Sequence, residues 1–242
     1  SIAVNIENAN IQELQVISGT FNAEYGKAMS GIVNIVTKDG SDKFESYLQV
    51  YSGDHQSDDN IYKNLDSYTL TNDKNITLNL SGPIIKKKLN FFISARSYAS
   101  DGWLNGLQTF TMYGDTVHTD KNLNGYFDST DVKKEPYYRA MNWRDKYSVQ
   151  TKLTYKLNPK LILRLNSIIS DEQWQNYNHY RQMTQEGQKT NYARGNFTGI
   201  KFSQSFSSKT FYDININQSV HEYNAYLYKE HLDPRYITPD HL

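Results

Sequence analysis

The sequence predicts an all-β protein, a partial transmembrane antiparallel β-barrel of about seven strands. Three observations carry that prediction. Apolar and polar residues alternate with period two through most of the chain after residue 44. The connections between alternating segments are short and long by turns. No apolar run is long enough for a membrane helix, and the mean hydropathy is strongly negative. Strands that alternate hide their membrane signal, so this excludes spanning helices and leaves spanning strands.

Composition narrows the choice. The chain has 242 residues, of which 38% are hydrophobic, and 20 tyrosines supply much of that fraction. Ordinary soluble domains run at ~45–50% apolar when glycine is counted, so a conventional core would be thin. Lys+Arg 26 balances Asp+Glu 26, which argues against a basic nucleic-acid surface. With no cysteine there is no disulfide, thiolate metal site or cysteine nucleophile. The chain starts Ser1-Ile2-Ala3-Val4 without a charged and apolar leader and stops in a loop-like Pro239-Asp240-His241-Leu242. Both ends read as those of a processed or excised piece.

Two short β segments come first, at 12–17 and 31–38, around a glycine-containing bend. The second is apolar on both faces near Ile32, Val33, Ile35 and Val36 and is expected to be buried. A strand at 44–51 follows. Ile76, Leu78 and Leu80 then alternate with Thr77, Asn79 and Ser81, and Phe91, Ile93 and Ala95 with Phe92, Ser94 and Arg96. The clearest strand is 147–157, where Tyr147, Val149, Thr151, Leu153, Tyr155 and Leu157 share one face. Its length suits a tilted span of ~9–11 residues. Leu161, Leu163, Leu165 and Ile169 oppose Arg164, Asn166 and Ser170. Ile200, Phe202 and Phe206 oppose Lys201, Ser203 and Ser205. Tyr212, Ile214, Ile216 and Val220 oppose Asp213, Asn215 and Asn217.

Short turns are expected at 82–88, 157–160 and 207–209, and long polar loops at 52–75, 100–146 and 171–195. Short turns at one end and long loops at the other suit an outer-membrane barrel. Tyr47, Tyr51, Tyr98, Tyr147, Tyr155, Phe211, Tyr212 and Tyr223 lie near strand ends, where aromatic girdles sit. A soluble antiparallel sandwich also alternates. Against it stands a polar face carrying Arg96, Lys152, Lys156, Arg164, Lys201 and Asp213, which suits a hydrated or plugged lumen.

The first forty residues carry a resemblance. Glu13 to Val16, Gly19, Ala23-Glu24-Tyr25-Gly26 and Gly31-Ile32-Val33-Asn34-Ile35-Val36-Thr37-Lys38 resemble the end of the plug domain of TonB-dependent outer-membrane receptors. Phe21 to Gly26 followed by Ser30-Gly31 is similar to the Oar-like, carboxypeptidase-regulatory-domain branch found in Bacteroidota. Gly82-Pro83-Ile84-Ile85 with Lys88-Leu89-Asn90-Phe91-Phe92 resembles that branch's early barrel hairpin. The resemblance implies that 1–40 is the C-terminal part of a plug and 41–242 the N-terminal part of a barrel with long extracellular loops. Gly19, Ala23, Tyr25, Gly26, Gly31, Asn34, Thr37 and Lys38 are its plug-motif residues. It implies location in the outer membrane of a Gram-negative bacterium, outer-membrane lipid around the wall, and energy-coupled uptake of a bulky, unidentified ligand. The TonB complex would act through a segment upstream of this chain. Seven strands are too few for a barrel of about 22, so the chain is expected to be a fragment. Ser18-Gly19-Thr20 stands where many members have Arg-Gly-Pro, so no plug–barrel ion pair is carried over to that position.

One loop carries a metal-like spacing. Asp120, Asn122, Asn124, Asp128 and Asp131 stand at positions 1, 3, 5, 9 and 12, with Gly125 at 6 and the Tyr126 carbonyl at 7. That is EF-hand-type Ca²⁺ spacing in its dockerin-like form, and a structural calcium ion holding an extracellular loop follows from it. An Asn/Asp/Gly-rich turn without metal has the same composition. No catalytic motif is visible, the six histidines show no zinc spacing, and the chain is read as a non-enzyme. Loop tryptophans Trp103, Trp143 and Trp174 are candidate ligand contacts, or packing residues between loops. Lys86-Lys87-Lys88 reads as a solvated turn. Two other readings remain open: an adhesion or surface-assembly barrel without transport, and a soluble calcium-binding β-domain.

Overall fold

The computed structural model describes residues 11–17, 32–111, 118–119, 132–207, 209–233 and 236. Among them the strands are β1 (Ile11–Ile17), β2 (Ile32–Thr37), β3 (Glu45–Gly53), β4 (Asp73–Ile85), β5 (Leu89–Ser100), β6 (Asn105–Gln108), β7 (His118–Thr119), β8 (Val132–Lys133), β9 (Tyr137–Ala140), β10 (Arg144–Asn158), β11 (Leu161–Trp174), β12 (Thr190–Ser205) and β13 (Phe211–Tyr226). The class is all-β, as the alternation predicts. Seven strands form one antiparallel sheet in the order β13-β12-β11-β10-β5-β4-β3. β1 and β2 pair as a separate antiparallel ribbon, and β6–β9 and β7–β8 pair within the long connection between β5 and β10.

Burial in the large sheet is the reverse of a soluble sheet's. Thr77, Asn79 and Ser81 on β4, Asn90 and Ser94 on β5, and Ser148, Gln150, Lys152 and Thr154 on β10 are all buried. The opposite face carries Leu48, Val50, Ile76, Leu78, Val149, Leu165, Ile169, Ile200 and Ile216, all exposed. Ser94 is 2% exposed and Gln150 3%, whereas Leu48 is 65% exposed and Ile216 66%. Water normally drives the apolar face inward, at about 25 cal/mol per Å². Here the polar face is the sheltered one. Among the described residues the buried apolar side chains are Leu65, Phe92, Met141 and Ile168.

The apolar face is continuous across the strands. One register row runs Leu48, Leu78, Ala95, Val149 and Ile169 from β3 to β11. A second runs Phe91, Leu153, Leu165, Ile200 and Ile216 from β5 to β13. The apolar band therefore slants against the rows, as it does when strands tilt relative to the band.

Several strands outrun their expected limits. β10 has 15 residues, β11 14, and β12 and β13 16 each. Their far ends carry charged and amide side chains interleaved with Trp174, Tyr192 and Tyr226. There Asp171 registers with Arg194, and the guanidinium Nη2 lies 2.9 Å from the Asp171 carboxylate. The 171–195 loop expected from polarity thus contracts to 175–189. Polarity marked where the apolar band ends, and backbone pairing continues past it. The 82–88 turn contracts likewise, because β4 runs through Pro83 to Ile85. Proline lacks a ladder donor, and the register shifts between Pro83 and Ile85, so a bulge accommodates it.

One expectation about β2 is corrected. At its described side chains it is not fully buried: Val36 is 39% exposed and Ile35 half-buried, and Leu14 and Val16 on its partner β1 are exposed too. A two-stranded ribbon satisfies one edge of each strand. Among the described residues no second layer covers its apolar side.

Candidate functional site

The segment 37–42 leaves β2 as a strap and crosses the polar face of the sheet. Lys152, central on β10, donates from Nζ to the Thr37 carbonyl at 2.9 Å and approaches the Thr37 hydroxyl at 3.4 Å. Its ammonium is 2.6 Å from the Asp39 carboxylate, and Arg164 Nε on β11 lies 3.6 Å from the other Asp39 oxygen. Lys152 is 8% exposed, and a buried ammonium is tolerated only when charge and hydrogen bonds compensate it. Further along, Asn90 donates to Asp42 at 2.8 Å and to the Gly40 carbonyl at 3.3 Å, and Lys156 lies 3.7 Å from Asp42. The Asn90 amide, and then the Lys156 charge, hold the Asp42 carboxyl below its ordinary range. Gly40 is needed here, because a Cβ would come within 2.6 Å of the Phe91 carbonyl oxygen.

The six ionisable residues expected on the polar face all lie on it. Arg96 donates to Asn75 at 2.8 Å and stands over the Tyr98 ring, and Lys201 pairs with Asp213 at 3.0 Å. A cavity of about 790 Å³ opens between strap and sheet, lined by Lys38, Asp39, Tyr47, Asn79, Ser81 and Phe92 among others. Asn79 Oδ1, Asn90 Oδ1 and Thr154 Oγ1 are buried here without a hydrogen-bond partner among the described residues. Buried acceptors of this kind are normally met by water or a bound group.

At the opposite end of the strands the loops pack into one layer. Met141 is fully buried, and its N–H donates to the Leu104 carbonyl at 2.8 Å. Asn142 Oδ1 accepts from the Trp103 and Leu104 amides at 3.2 and 2.9 Å. The Met183 carbonyl accepts from the Thr109 and Phe110 amides, and Gln108 Oε1 accepts from the Gln185 amide at 2.9 Å. Burial, then the neighbouring Asp145 charge, push the Asp101 carboxyl above its ordinary range. A second cavity, of about 690 Å³, lies in this layer between the 176–181 loop and Tyr223.

The three candidate tryptophans all sit in or beside that layer, and each has a protein partner. Trp103 meets Tyr62 edge-on at 5.5 Å between ring centroids. Trp143 Nε1 donates to Gln175 at 3.0 Å. Trp174 carries the Arg144 guanidinium 5.7 Å from its ring centre and tilts toward Tyr223. Tyr177, His179, Tyr180 and Tyr223 line the loop cavity, and Tyr180 is 93% exposed.

Of the plug-motif residues, Asn34 pairs with Gln15 in the ribbon, Thr37 is buried against Lys152, and Lys38 faces the first cavity. Gly19, Ala23, Tyr25, Gly26 and Gly31 lie outside the described residues. So do Asp120, Asn122, Asn124, Tyr126, Asp128 and Asp131, the calcium-loop set. The flanks of that loop are described: His118 registers with Lys133 and Thr119 with Val132, a β-ladder that closes its base. Among the described residues no three His, Asp or Glu side chains group as a metal site. Asp39 and Asp42 have no signal in the sequence beyond the polar run that follows β2, and Asn90 stands in the early-hairpin motif with nothing there to mark it as their partner. Comparison with protein-family models, curated proteins and solved structures found no match to this chain.

Proposed function

We propose that this chain forms the junction between a plug and the first wall strands of a TonB-dependent outer-membrane receptor, which takes up a bulky ligand by energy coupling. The observation that carries the reading is the inverted burial of the large sheet, with serine, threonine and amide side chains sheltered and a continuous aliphatic band exposed. Lipid against that band would remove the cost of leaving it in water, and a polar lumen would suit the other face. β3 and β13 are the outer strands of the seven, so strands outside this chain would complete the wall.

The strap supports the plug half of the proposal. It begins with the motif residues Thr37 and Lys38 and is fastened to the polar face by Lys152, Arg164, Asn90 and Lys156. The loop layer would face outward as the ligand-receiving surface. The reading is tested by fractionating the native cells. The protein should stay with outer-membrane vesicles through carbonate washing and leave only with detergent. Recovery in the soluble fraction would overturn it. The coupling part is tested separately, by loss of growth on the imported ligand when TonB is removed.

A further inference from the structure

We infer that the short-turn end of the sheet is a docking rim for an anionic phospholipid leaflet; this rests on the barrel reading above. The whole chain has no net charge, yet its topology gathers lysines at one end of the sheet. Register places the segment 38–44 and the turns 86–88, 159–160 and 206–210 at one end of the sheet. The ladder runs into these turns: the Lys156 N–H donates to the Lys88 carbonyl at 2.7 Å and the Ser205 N–H to the Lys160 carbonyl at 2.8 Å. The described residues of this rim include seven lysines and two aspartates. Both aspartates, Asp39 and Asp42, already hold Lys152 and Lys156. Lys43, Lys86, Lys87, Lys88, Lys160 and Lys209 are exposed and have no side-chain partner among the described residues. At the other end, the loop between β3 and β4 carries four aspartates and one lysine, and the described residues of the other two long loops carry both signs.

The rim also has the apolar half of an interfacial anchor. Phe44, Ile84, Leu157 and Phe211 stand beside the lysines, and Phe211 is 74% exposed. Lysine stems lie along apolar surface while the ammonium reaches the headgroup phosphates. The same ammonium groups beside water alone would gain nothing from the aromatic and aliphatic neighbours. A free anionic ligand would gain nothing from them either, which favours a leaflet over a soluble phosphate.

Because the barrel reading needs strands outside this chain to close the wall, the test reconstitutes the whole native protein into vesicles of phosphatidylcholine and of phosphatidylcholine mixed with phosphatidylglycerol, with flotation as the readout. The inference expects at least about tenfold stronger integration into the anionic vesicles, lost at high salt. Replacing Lys86, Lys88, Lys160 and Lys209 by Gln should abolish the preference and leave integration into phosphatidylcholine intact. Lys63→Gln with Lys189→Gln, at the loop end, should keep the preference. The salt dependence of the unaltered chain decides independently of any variant. Equal integration into both vesicles, or a preference that survives the four substitutions, overturns the inference alone. Integration into neither overturns the barrel reading and the inference with it.

Discussion

Lys152 Nζ lies 2.6 Å from the Asp39 carboxylate, which ties the strap after β2 to the middle of β10. The ammonium is buried and the carboxylate is partly exposed, so the two ends of the pair differ in what their loss costs. Asp39→Asn keeps an acceptor but removes the charge that balances a buried cation, and should destabilise the protein by about 1–3 kcal/mol. Lys152→Met removes the charge that needs a partner and should cost less. Denaturant titration of both single variants and the double variant in detergent checks this. Additive effects would mean that the contact contributes nothing.

Asp42 gives the strap a pH limit. Its carboxyl pKa is lowered, first by the Asn90 amide and then by Lys156. A lowered carboxyl contributes stability that is present above its unfolded value and is lost as pH falls through the folded one. The stability gap between wild type and Asp42→Asn should therefore be constant at neutral pH and close below the ordinary value of 3.8. Denaturation curves across that range measure the gap. A gap that widens on acidification would contradict the assignment.

Gly40 marks the close approach of the strap to β5. A methyl group there meets the Phe91 backbone, which cannot move aside as a flexible side-chain tip can. Gly40→Ala should cost about 1–3 kcal/mol, whereas Gly53→Ala, with open space around it, should be near neutral. Paired melting curves distinguish the two sites.

The loop at 120–131 is predicted to bind calcium at millimolar concentration. Calorimetry on the protein should show binding heat that Asp120→Ala reduces. Identical traces with and without calcium would leave an Asn/Asp/Gly turn closed by the β7–β8 ladder.

The strands and their two faces were legible in the sequence because period two is a local property. Thr151, Leu153 and Tyr155 declare one face within a few residues of one another. Their ends were not legible, since Asp171 and Arg194 read as loop until backbone pairing brings them together. The strap was hidden for another reason. Thr37 and Lys152 are 115 residues apart, and nothing in either neighbourhood announces the other. The three tryptophans were found as a group, but their partners Tyr62, Gln175 and Arg144 came only with the loop layer. The lysines at 86–88 looked like an ordinary solvated turn, and register set them beside Lys160 and Lys209.

The central claim is that the exposed apolar band faces lipid. The chain has no native cysteine, so it adds no background to spin labels carried on single cysteines along β10. The protein, reconstituted in bilayers, is then scanned from 147 to 155 for collision with oxygen, which concentrates in lipid, and with a water-soluble nickel complex. Labels at Tyr147, Val149, Thr151, Leu153 and Tyr155 should collide with oxygen, and those at Ser148, Gln150 and Thr154 should be shielded from it. Uniform accessibility, or oxygen collisions at the even-numbered positions, would contradict the account.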